Sequence, residues 1–446
     1  MGLSERLKQR ANGNAGAVQA LSSEVRVQAF NQLKTDLHKS VIDRLDLKSL
    51  EALPPERLRD QLRSVIAPLL AGSAVPLNQL ERDQMVQELL DELTGLGPLE
   101  PMLRDGTISD ILVNTYATVY IERGGKLELT PVRFTDNDHL LRIINRIVAR
   151  VGRRVDETSP MVDARLSDGS RVNAIIPPLA IDGPVLSIRR FGTAPLRARD
   201  LVAIGSISAE CLAFLAACVK AKLNVLISGG TGTGKTTMLN ALSAFVPESE
   251  RIVTIEDSAE LQLQQRHVVR LETRPPNIEG KGEIVARDLV RNALRMRPDR
   301  IIVGEVRSEE VLDMLQAMNT GHEGSMTTIH ANSARDALSR MEAMVGMSGV
   351  PLSDVSIRQT IVRALNVVLQ LGRGTDGRRR VVAVAEITGL EGTTIVMQDL
   401  YRFEQRGVDA GGHVLGEFQP TGIRPRVMDR IERAGVDPAR LLGAWS

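Results

Sequence analysis

The most informative stretch of the chain is glycine-rich and runs from residue 229 to residue 236. It reads GGTGTGKT and fits the phosphate-binding loop pattern G-x-x-x-x-G-K-[ST]. Glycines let the backbone turn its N–H groups inward around a di- or triphosphate, and the helix that follows adds the positive end of its dipole. We expect Lys235 to reach the β- and γ-phosphates and Thr236 to place a hydroxyl on Mg²⁺.

The flanking residues support this interpretation of the loop. The apolar run Asn224–Ser228 before it predicts a strand, and Met238–Leu242 after it predicts a helix. A chance match within a Gly/Thr-rich turn explains neither flank, so the sequence predicts a nucleoside triphosphate site. The residues expected to contact the nucleotide are Gly229, Gly230, Thr231, Gly232, Thr233, Gly234, Lys235, Thr236 and Thr237.

Two groups of carboxylates follow predicted strands. Ile301–Glu305 is an apolar run that ends in a carboxylate, which could orient a metal-bound or attacking water beside a γ-phosphate. The alternative for Glu305 is a solvent-facing cap on a buried strand, and the residues alone leave both open. Glu256, Asp257 and Glu260 form a second group at the end of another predicted strand.

Two histidines lie close together in the sequence. His322 and His330 flank a predicted strand, and a lone histidine there would usually be structural. Two imidazoles on one short segment could instead read the γ-phosphate through their N–H donors. We therefore include both among the candidate site residues.

Composition excludes several classes of protein. The chain has 446 residues, of which 43% are hydrophobic and 25% charged, so two or three soluble domains are expected. A net charge of +1 provides no global field for nucleic acid or an anionic membrane, and 2% aromatic residues provide few stacking platforms. We find no apolar run long enough to span a bilayer and no secretory leader, and so expect a cytoplasmic protein that needs no nucleic acid. Cys211 and Cys218 are expected to fill a helical core.

The chain divides into regions by composition and periodicity. The predicted regions are a disordered N-terminus (1–20), a helical module (21–75), an α/β domain (76–192), a linker (193–199) and a P-loop domain with a C-terminal extension (200–446).

Both larger domains are predicted to be of the α/β class. In the smaller one we expect strands at 110–114, 119–122, 170–176 and 185–191, with a hairpin turn at Gly124-Gly125. We expect a helix at 139–151. In the larger one strand-like runs at 224–228, 251–256, 268–271, 300–304 and 326–329 alternate with helices. The later runs 366–371 and 380–384 are expected to form a hairpin or added strands. Such alternation predicts a mainly parallel sheet with its ligand at the carboxyl ends of the strands.

Several of these segments together resemble a known family. Arg295–Arg307, Ala317–Ser325 and Thr327–Asn332 are similar to the Walker B and His-box regions of secretion-superfamily ATPases. Asp163–Asn173 and Ser187–Phe191 resemble the N-terminal domain of the tight-adherence (Tad, CpaF-type) pilus assembly branch. The resemblance runs from about residue 85 to about residue 400.

This resemblance implies a RecA-like motor that hydrolyses ATP with Mg²⁺ and works as a homo-hexamer. It further implies docking on a polytopic inner-membrane platform protein and the assembly or retraction of a pilus or secretion filament. By the same resemblance, Glu305 and Thr236 serve the metal, Glu305 or Glu260 polarises water, and Arg171 and Arg189, with Arg165 and Arg190 as neighbours, are candidate arginine fingers. Two cysteines cannot supply a tetracysteine zinc module, so no zinc is expected and the Tad or type IV secretion branch is favoured.

Two other functions explain the P-loop. One is a RecA-like nucleic-acid motor, which accounts for neither the near-neutral charge nor the two histidines. The other is a nucleotide-gated scaffold with little turnover.

Overall fold

The computed structural model describes residues 30, 32–34, 36–38, 40–41, 55–72, 75–191, 196–276 and 280–437. The N-terminal segment predicted to be disordered (1–20) lies outside these ranges, as do parts of the helical module and of the linker. The chain forms two compact units, Met1–Gly192 and Thr193–Ser446. The helical segment and the smaller α/β domain belong to the first unit.

The helical segment has a small core of its own. Helix α1 (Pro55–Ala71) packs against helix α2 (Gln79–Thr94). The buried side chains of this core are Leu37, Val41, Leu62, Ile66, Leu70, Met85, Leu89 and Leu90. Helix α2 begins six residues earlier than the predicted Met85, because Asn78 and Glu81 form a reciprocal capping box.

The smaller α/β domain is built on a six-stranded antiparallel sheet. Its strands are β1 (Ile108–Thr115), β2 (Thr118–Arg123), β3 (Lys126–Leu129), β4 (Met161–Arg165), β5 (Arg171–Ile175) and β6 (Val185–Arg189), in the order β3-β2-β1-β6-β5-β4. Short helix α3 (Glu100–Arg104) precedes the sheet, and α4 (Asn137–Arg150) buries Leu140, Ile143, Ile144 and Ile147 in the domain core. Gly124 and Gly125 both have positive φ, which confirms the predicted hairpin turn. Strands β3 and β4 were not among the predicted strands.

The second unit contains a nine-stranded sheet. Its strands are β7 (Val225–Gly229), β8 (Ile252–Glu256), β9 (Val268–Glu272), β10 (Arg300–Val306), β11 (Met326–Ile329), β12 (Val367–Arg373), β13 (Arg379–Glu391), β14 (Thr394–Val408) and β15 (Val414–Pro420). The order is β15-β14-β13-β12-β7-β11-β10-β8-β9. From β12 to β9 all neighbours are parallel, whereas β13, β14 and β15 extend the sheet as antiparallel strands.

Helices cover both faces of this sheet. They are α5 (Ala198–Ala203), α6 (Ala209–Lys220), α7 (Lys235–Ser243), α8 (Ala286–Ala293), α9 (Glu310–Asn319), α10 (Ala334–Gly346), α11 (Asp354–Ala364) and α12 (Met428–Arg433). One core packs α6 and α7 against Val225, Ile227 and Leu369, and a second packs α8 to α11 against the other face. Cys211 and Cys218 are free and buried in the first core, as predicted. The expected α/β class, with a mainly parallel sheet around a P-loop, is confirmed.

The described helices of the protein are short or polar in relation to a lipid bilayer. Within the described ranges, none combines the length and the apolar composition needed to cross a membrane.

Candidate functional site

The P-loop joins the central strand β7 to helix α7, as the sequence predicted. Gly232 and Gly234 have φ values of +70° and +95°, which residues with a Cβ rarely adopt. A Cβ on Gly229 would lie 2.5 Å from Thr233 Oγ1 and 3.1 Å from the Leu371 carbonyl oxygen, so this glycine is required for close packing. Gly234 caps α7, and the first-turn N–H groups of that helix therefore open toward the loop.

Lys235 is folded back over the loop. Its Nζ donates to the carbonyl oxygens of Gly229 at 3.0 Å and Gly230 at 3.1 Å. Burial lowers the pKa of Lys235 from its ordinary value; Glu305 opposes this shift, and the positive charges of Arg307 and Arg340 add to it. The ammonium group thus lies partly buried, near one carboxylate and two guanidinium groups, and an anionic triphosphate would stabilise its charged form.

Thr236 and Thr237 occupy the first turn of α7 and are half-buried. Glu305 lies one residue before the end of β10, two strands from β7 in the sheet, and its side chain is 24% exposed. A hydroxyl and a carboxylate are the hard oxygen donors that Mg²⁺ takes in nucleotide sites, so Thr236 and Glu305 fit the ion chemically.

Arg307 links the two groups of carboxylates. Its Nε and Nη2 donate to Glu305 Oε2 at 3.0 and 2.6 Å, and its Nη1 donates to Asp257 Oδ2 at 3.0 Å. Both bonds to Glu305 use Oε2; among the described residues, no hydrogen bond reaches Oε1. Arg307 was not a predicted site residue, although its position two residues after Glu305, just past the end of β10, was a usable signal.

Glu256 differs from the other candidate carboxylates because it is buried beneath the site. Its Oε2 accepts the backbone N–H groups of Glu260 at 2.7 Å and Leu261 at 2.9 Å. Its Cγ lies 2.9 Å from where a Cβ on Gly304 would be, so this glycine makes room for it. Burial raises the pKa of Glu256 to about 7, against the opposing effect of the two N–H donors. Glu256 therefore fixes the loop that carries Asp257 and Glu260.

The two histidines lie at opposite ends of β11. His330 follows the strand, and its Nδ1 is 3.4 Å from Thr231 Oγ1 of the P-loop. His322 precedes the strand, at the edge where Ser325 bonds to Asn224, and four strand residues span about 13 Å. The structure therefore brings His330 to the P-loop of its own chain and leaves His322 at the far edge of the sheet. Within one chain the two imidazoles therefore do not lie at the same P-loop, and the role of His322 at a γ-phosphate stays a prediction.

The arginines of the smaller domain form a row across its sheet. Arg165 is the register partner of Arg171, Arg171 is the partner of Arg189, and Arg189 is the partner of Asp110. Directly opposed residues of antiparallel strands share one face, here the face away from α4. Arg189 Nε donates to Asp110 Oδ1 at 3.1 Å. Like charges placed opposite one another are unfavourable, and the Asp110 carboxylate offsets part of this repulsion at Arg189.

Arg190 is directed to the other side of its strand. Its guanidinium donates to the carbonyl oxygens of Leu103 at 2.8 Å, of Ile108 at 3.2 Å, and of Asp105. These bonds hold the turn between α3 and β1. In the structure Arg190 thus contacts backbone carbonyls of the turn, and its inclusion among the catalytic candidates stays a prediction.

Taken together, the second unit combines an amide-lined loop, a partly buried ammonium group and two carboxylates joined by an arginine at adjacent strand ends. Such an arrangement can bind a polyphosphate, hold a divalent cation and orient a water molecule.

The sequence of this chain is similar to those of several known proteins. The sequence profile described as "Type II/IV secretion system protein" matches residues 92–402. A protein of Mycobacterium tuberculosis strain H37Rv, provisionally named as a conjugal transfer protein, is 41% identical over 68% of this chain and 88% of its own. The conjugal transfer protein TrbB of Rhizobium radiobacter is 31% identical over 69% of this chain and 91% of its own.

Among solved structures, the VirB11 ATPase of the Brucella suis type IV secretion system, in complex with sulphate, is similar. It is 26% identical, with 65% of this chain and 95% of that chain covered, at a TM-score of 0.35. The profile spans most of the chain, and two relatives share more than 30% identity over most of their length. The chain belongs to the type II/IV secretion system protein family.

Proposed function

We propose that this protein is a Mg²⁺-dependent ATPase that drives a secretion, conjugal-transfer or pilus machine. The proposal rests mainly on one observation. The P-loop lysine lies near Glu305 and Arg307, which bonds to Asp257, at the carboxyl edge of one parallel sheet. The family membership, and the conjugal-transfer role in the names of two relatives, support the same conclusion.

In the proposed mechanism, water attacks the γ-phosphate of ATP in line with the leaving group. Lys235 neutralises charge that develops on the phosphates, after exchanging its two loop carbonyls for phosphate oxygens. Glu305 or Glu260 polarises the water, and Arg307 holds Glu305 in place. Mg²⁺, held by Thr236 and Glu305, would add charge neutralisation on the phosphate oxygens.

The arginine row supplies the remaining positive charge in this proposal. Arg171 and Arg189, with Arg165 beside them, lie on one face of the smaller sheet. We assign Arg171 and Arg189 as arginine fingers that reach a γ-phosphate when the units of a ring close, either in their own subunit or in a neighbour. A guanidinium fork there would stabilise charge in the transition state.

The finer assignment follows the sequence resemblance. We assign the chain to the tight-adherence branch, as a homo-hexamer at the cytoplasmic side of the inner membrane, docked on a polytopic platform protein. Hydrolysis would then drive filament assembly or retraction through that partner.

The deciding experiment measures ATP hydrolysis by the full chain with Mg²⁺, with and without single-stranded DNA and with and without membranes that carry the platform partner. We expect turnover that needs no DNA. Strong stimulation by DNA with a steep salt dependence would indicate the nucleic-acid motor, and tight binding without turnover in any condition would indicate the scaffold.

Two variants and one control complete this experiment. Lys235→Ala should abolish nucleotide binding, and Glu305→Gln should bind ATP while kcat falls by roughly 10² or more. Lys220→Ala, at an exposed lysine that ends α6, should behave as the wild type. Wild-type turnover by Lys235→Ala would overturn the proposal.

A further inference from the structure

The hairpin formed by β12 and β13 packs against the P-loop. The carbonyl oxygen of Leu371 on β12 lies 3.1 Å from where a Cβ on Gly229 would be. On β13, Arg379 Cδ lies 3.8 Å from where a Cβ on Gly234 would be. Gly234 is the residue that caps α7, so an arginine side chain runs beside the end of the loop that cradles phosphates.

The hairpin backbone is well anchored at this point. The Arg379 carbonyl accepts the Ser206 hydroxyl at 2.8 Å, and the Val381 N–H donates to the Ser206 carbonyl at 2.8 Å. The neighbouring Arg380 is 7% exposed, pairs with Asp376 at 2.8 Å and lies over the Phe403 ring. These contacts fix the register of β13, so the start of the strand holds a constant position beside the loop.

Strand alternation gives the two arginines different surroundings. Successive side chains point to opposite faces, so the locked Arg380 leaves Arg379 on the other side, where it is exposed. Arg373 on β12 is the register partner of Arg379 and lies on the same face. The hairpin therefore presents positive charge beside the P-loop from within the second unit itself.

The order of the strands indicates which part of a bound nucleotide the Arg379 guanidinium would contact. Strands β11 and β10, which carry His330 and Glu305 at their ends, lie on one side of β7. Strands β12 and β13 lie on the other side. The P-loop thus separates Arg379 from the groups suited to γ-phosphate chemistry. Arg379 would therefore contact the part of the nucleotide that remains as ADP.

We propose that Arg379 is a nucleotide-binding residue that contacts the α-phosphate, which ATP and ADP both carry. The proposal rests on the proposed function, since it assumes that the P-loop takes a nucleotide. An ionic contact that is equally strong with substrate, transition state and product adds uniform binding; it lowers KM and leaves kcat unchanged. Arg379 thereby differs in kind from Arg171 and Arg189, which are assigned to the transition state.

The test measures equilibrium binding of a fluorescent Mg-ADP and of a non-hydrolysable Mg-ATP analogue, together with steady-state hydrolysis. For Arg379→Gln we expect Kd to rise at least ten-fold for both nucleotides, by the same factor, with kcat at saturating ATP within two-fold of the wild type. Arg379→Lys should recover part of the affinity, because lysine keeps the positive charge but cannot reproduce the planar guanidinium fork. Arg378→Gln, at the exposed neighbouring arginine, is the matched control and should bind as the wild type.

Two outcomes would overturn the inference. If Arg379→Gln binds both nucleotides with wild-type Kd, Arg379 does not contact nucleotide. If it lowers kcat with Kd unchanged, Arg379 acts on the transferred phosphate instead. Lys235→Ala distinguishes failure of this inference from failure of the proposed function. If Lys235→Ala loses nucleotide binding and Arg379→Gln does not, only the role of Arg379 is rejected. If Lys235→Ala binds nucleotide as the wild type does, the P-loop is rejected as a nucleotide site.

Discussion

The guanidinium of Arg307 bonds to Glu305 at 2.6 Å and to Asp257 at 3.0 Å, and so joins the ends of β10 and β8. These strands are neighbours in the sheet, and a planar guanidinium can bond to two carboxylates at once where a lysine cannot. The position of the carboxylate assigned to water and metal therefore depends on a residue outside the P-loop.

Loss of Arg307 should impair turnover more than binding. For Arg307→Gln we expect kcat to fall by roughly 10 to 10² and the Kd of a non-hydrolysable ATP analogue to stay within a few-fold, because Glu305 loses its orienting partner. Arg307→Lys should recover only part of kcat. Combining Arg307→Gln with Asp257→Asn should cost less than the sum of the two single changes, because both break the same ion pair.

Steady-state kinetics and equilibrium binding check this prediction. Arg363→Gln, at an exposed arginine of α11, is the control. A wild-type kcat in Arg307→Gln would show that the ion pairs of Arg307 with Glu305 and Asp257 stabilise the fold and do not contribute to turnover.

Substitutions of the two histidines should have different effects on nucleotide binding. His330→Ala should lower kcat about ten-fold and weaken binding of an ATP analogue, because it removes an imidazole beside the P-loop. His322→Ala should leave nucleotide affinity within two-fold, since its side chain lies at the opposite edge of the sheet. Titration of both variants with a fluorescent analogue measures the difference. Equal losses of affinity would show that His322 reaches a nucleotide.

The arginines of the smaller domain should separate in the same way. Arg190→Ala should destabilise the protein by roughly 2 to 4 kcal/mol, because three backbone carbonyls lose a charged donor. Arg171→Ala and Arg189→Ala should lower kcat by roughly 10² or more with little change in Tm, if they act as arginine fingers. Calorimetry and ATPase assays on the same preparations measure both effects. A wild-type rate in both Arg171→Ala and Arg189→Ala would contradict the assignment.

The buried Glu256 gives a pH-dependent prediction. Its pKa in the folded protein is about 7, above the ordinary value of 4.5, so the folded state binds its proton more tightly than the unfolded state. Its contribution to stability is therefore complete below about pH 4.5 and is lost as the pH rises through 7. We expect the Tm of Glu256→Gln, relative to the wild type, to increase from pH 5.5 to pH 8.5.

A difference taken across pH removes any constant effect of the substitution. Glu391→Gln, at an exposed glutamate that ends β13, provides the baseline. A Tm difference for Glu256→Gln that does not change with pH would mean that the carboxyl group titrates normally in the folded protein.

The parallel part of the large sheet was predictable because its strands are short, apolar and separated by helices. The strands from β7 to β12 lie within about two residues of the predicted runs. Strands β14 and β15 were missed because they form an antiparallel extension with many polar and exposed residues, so apolar runs do not mark them. Strand β4 was missed for a related reason, since Asp163 and Arg165 occupy its outer face.

For the site, the sequence predicted which residue types are present better than it predicted where their side chains point. The P-loop pattern constrains the backbone directly, so its conformation follows from the glycines. Arg189 and Arg190 are adjacent in sequence, yet only the pairing of their strand shows that one faces outward and the other holds a turn. Similarly, His322 and His330 are separated by one strand, and the length of that strand carries them to different edges.

The two buried cysteines of α6 have a practical consequence for following this protein in motion. Both thiols are fully buried, and burial raises their pKa well above its ordinary value, so the reactive thiolate is scarce. A cysteine introduced on the surface should therefore react with a maleimide dye long before either native thiol. Fluorescent labels can be placed on each unit without first removing Cys211 and Cys218, and late modification of those thiols would time the opening of the core itself.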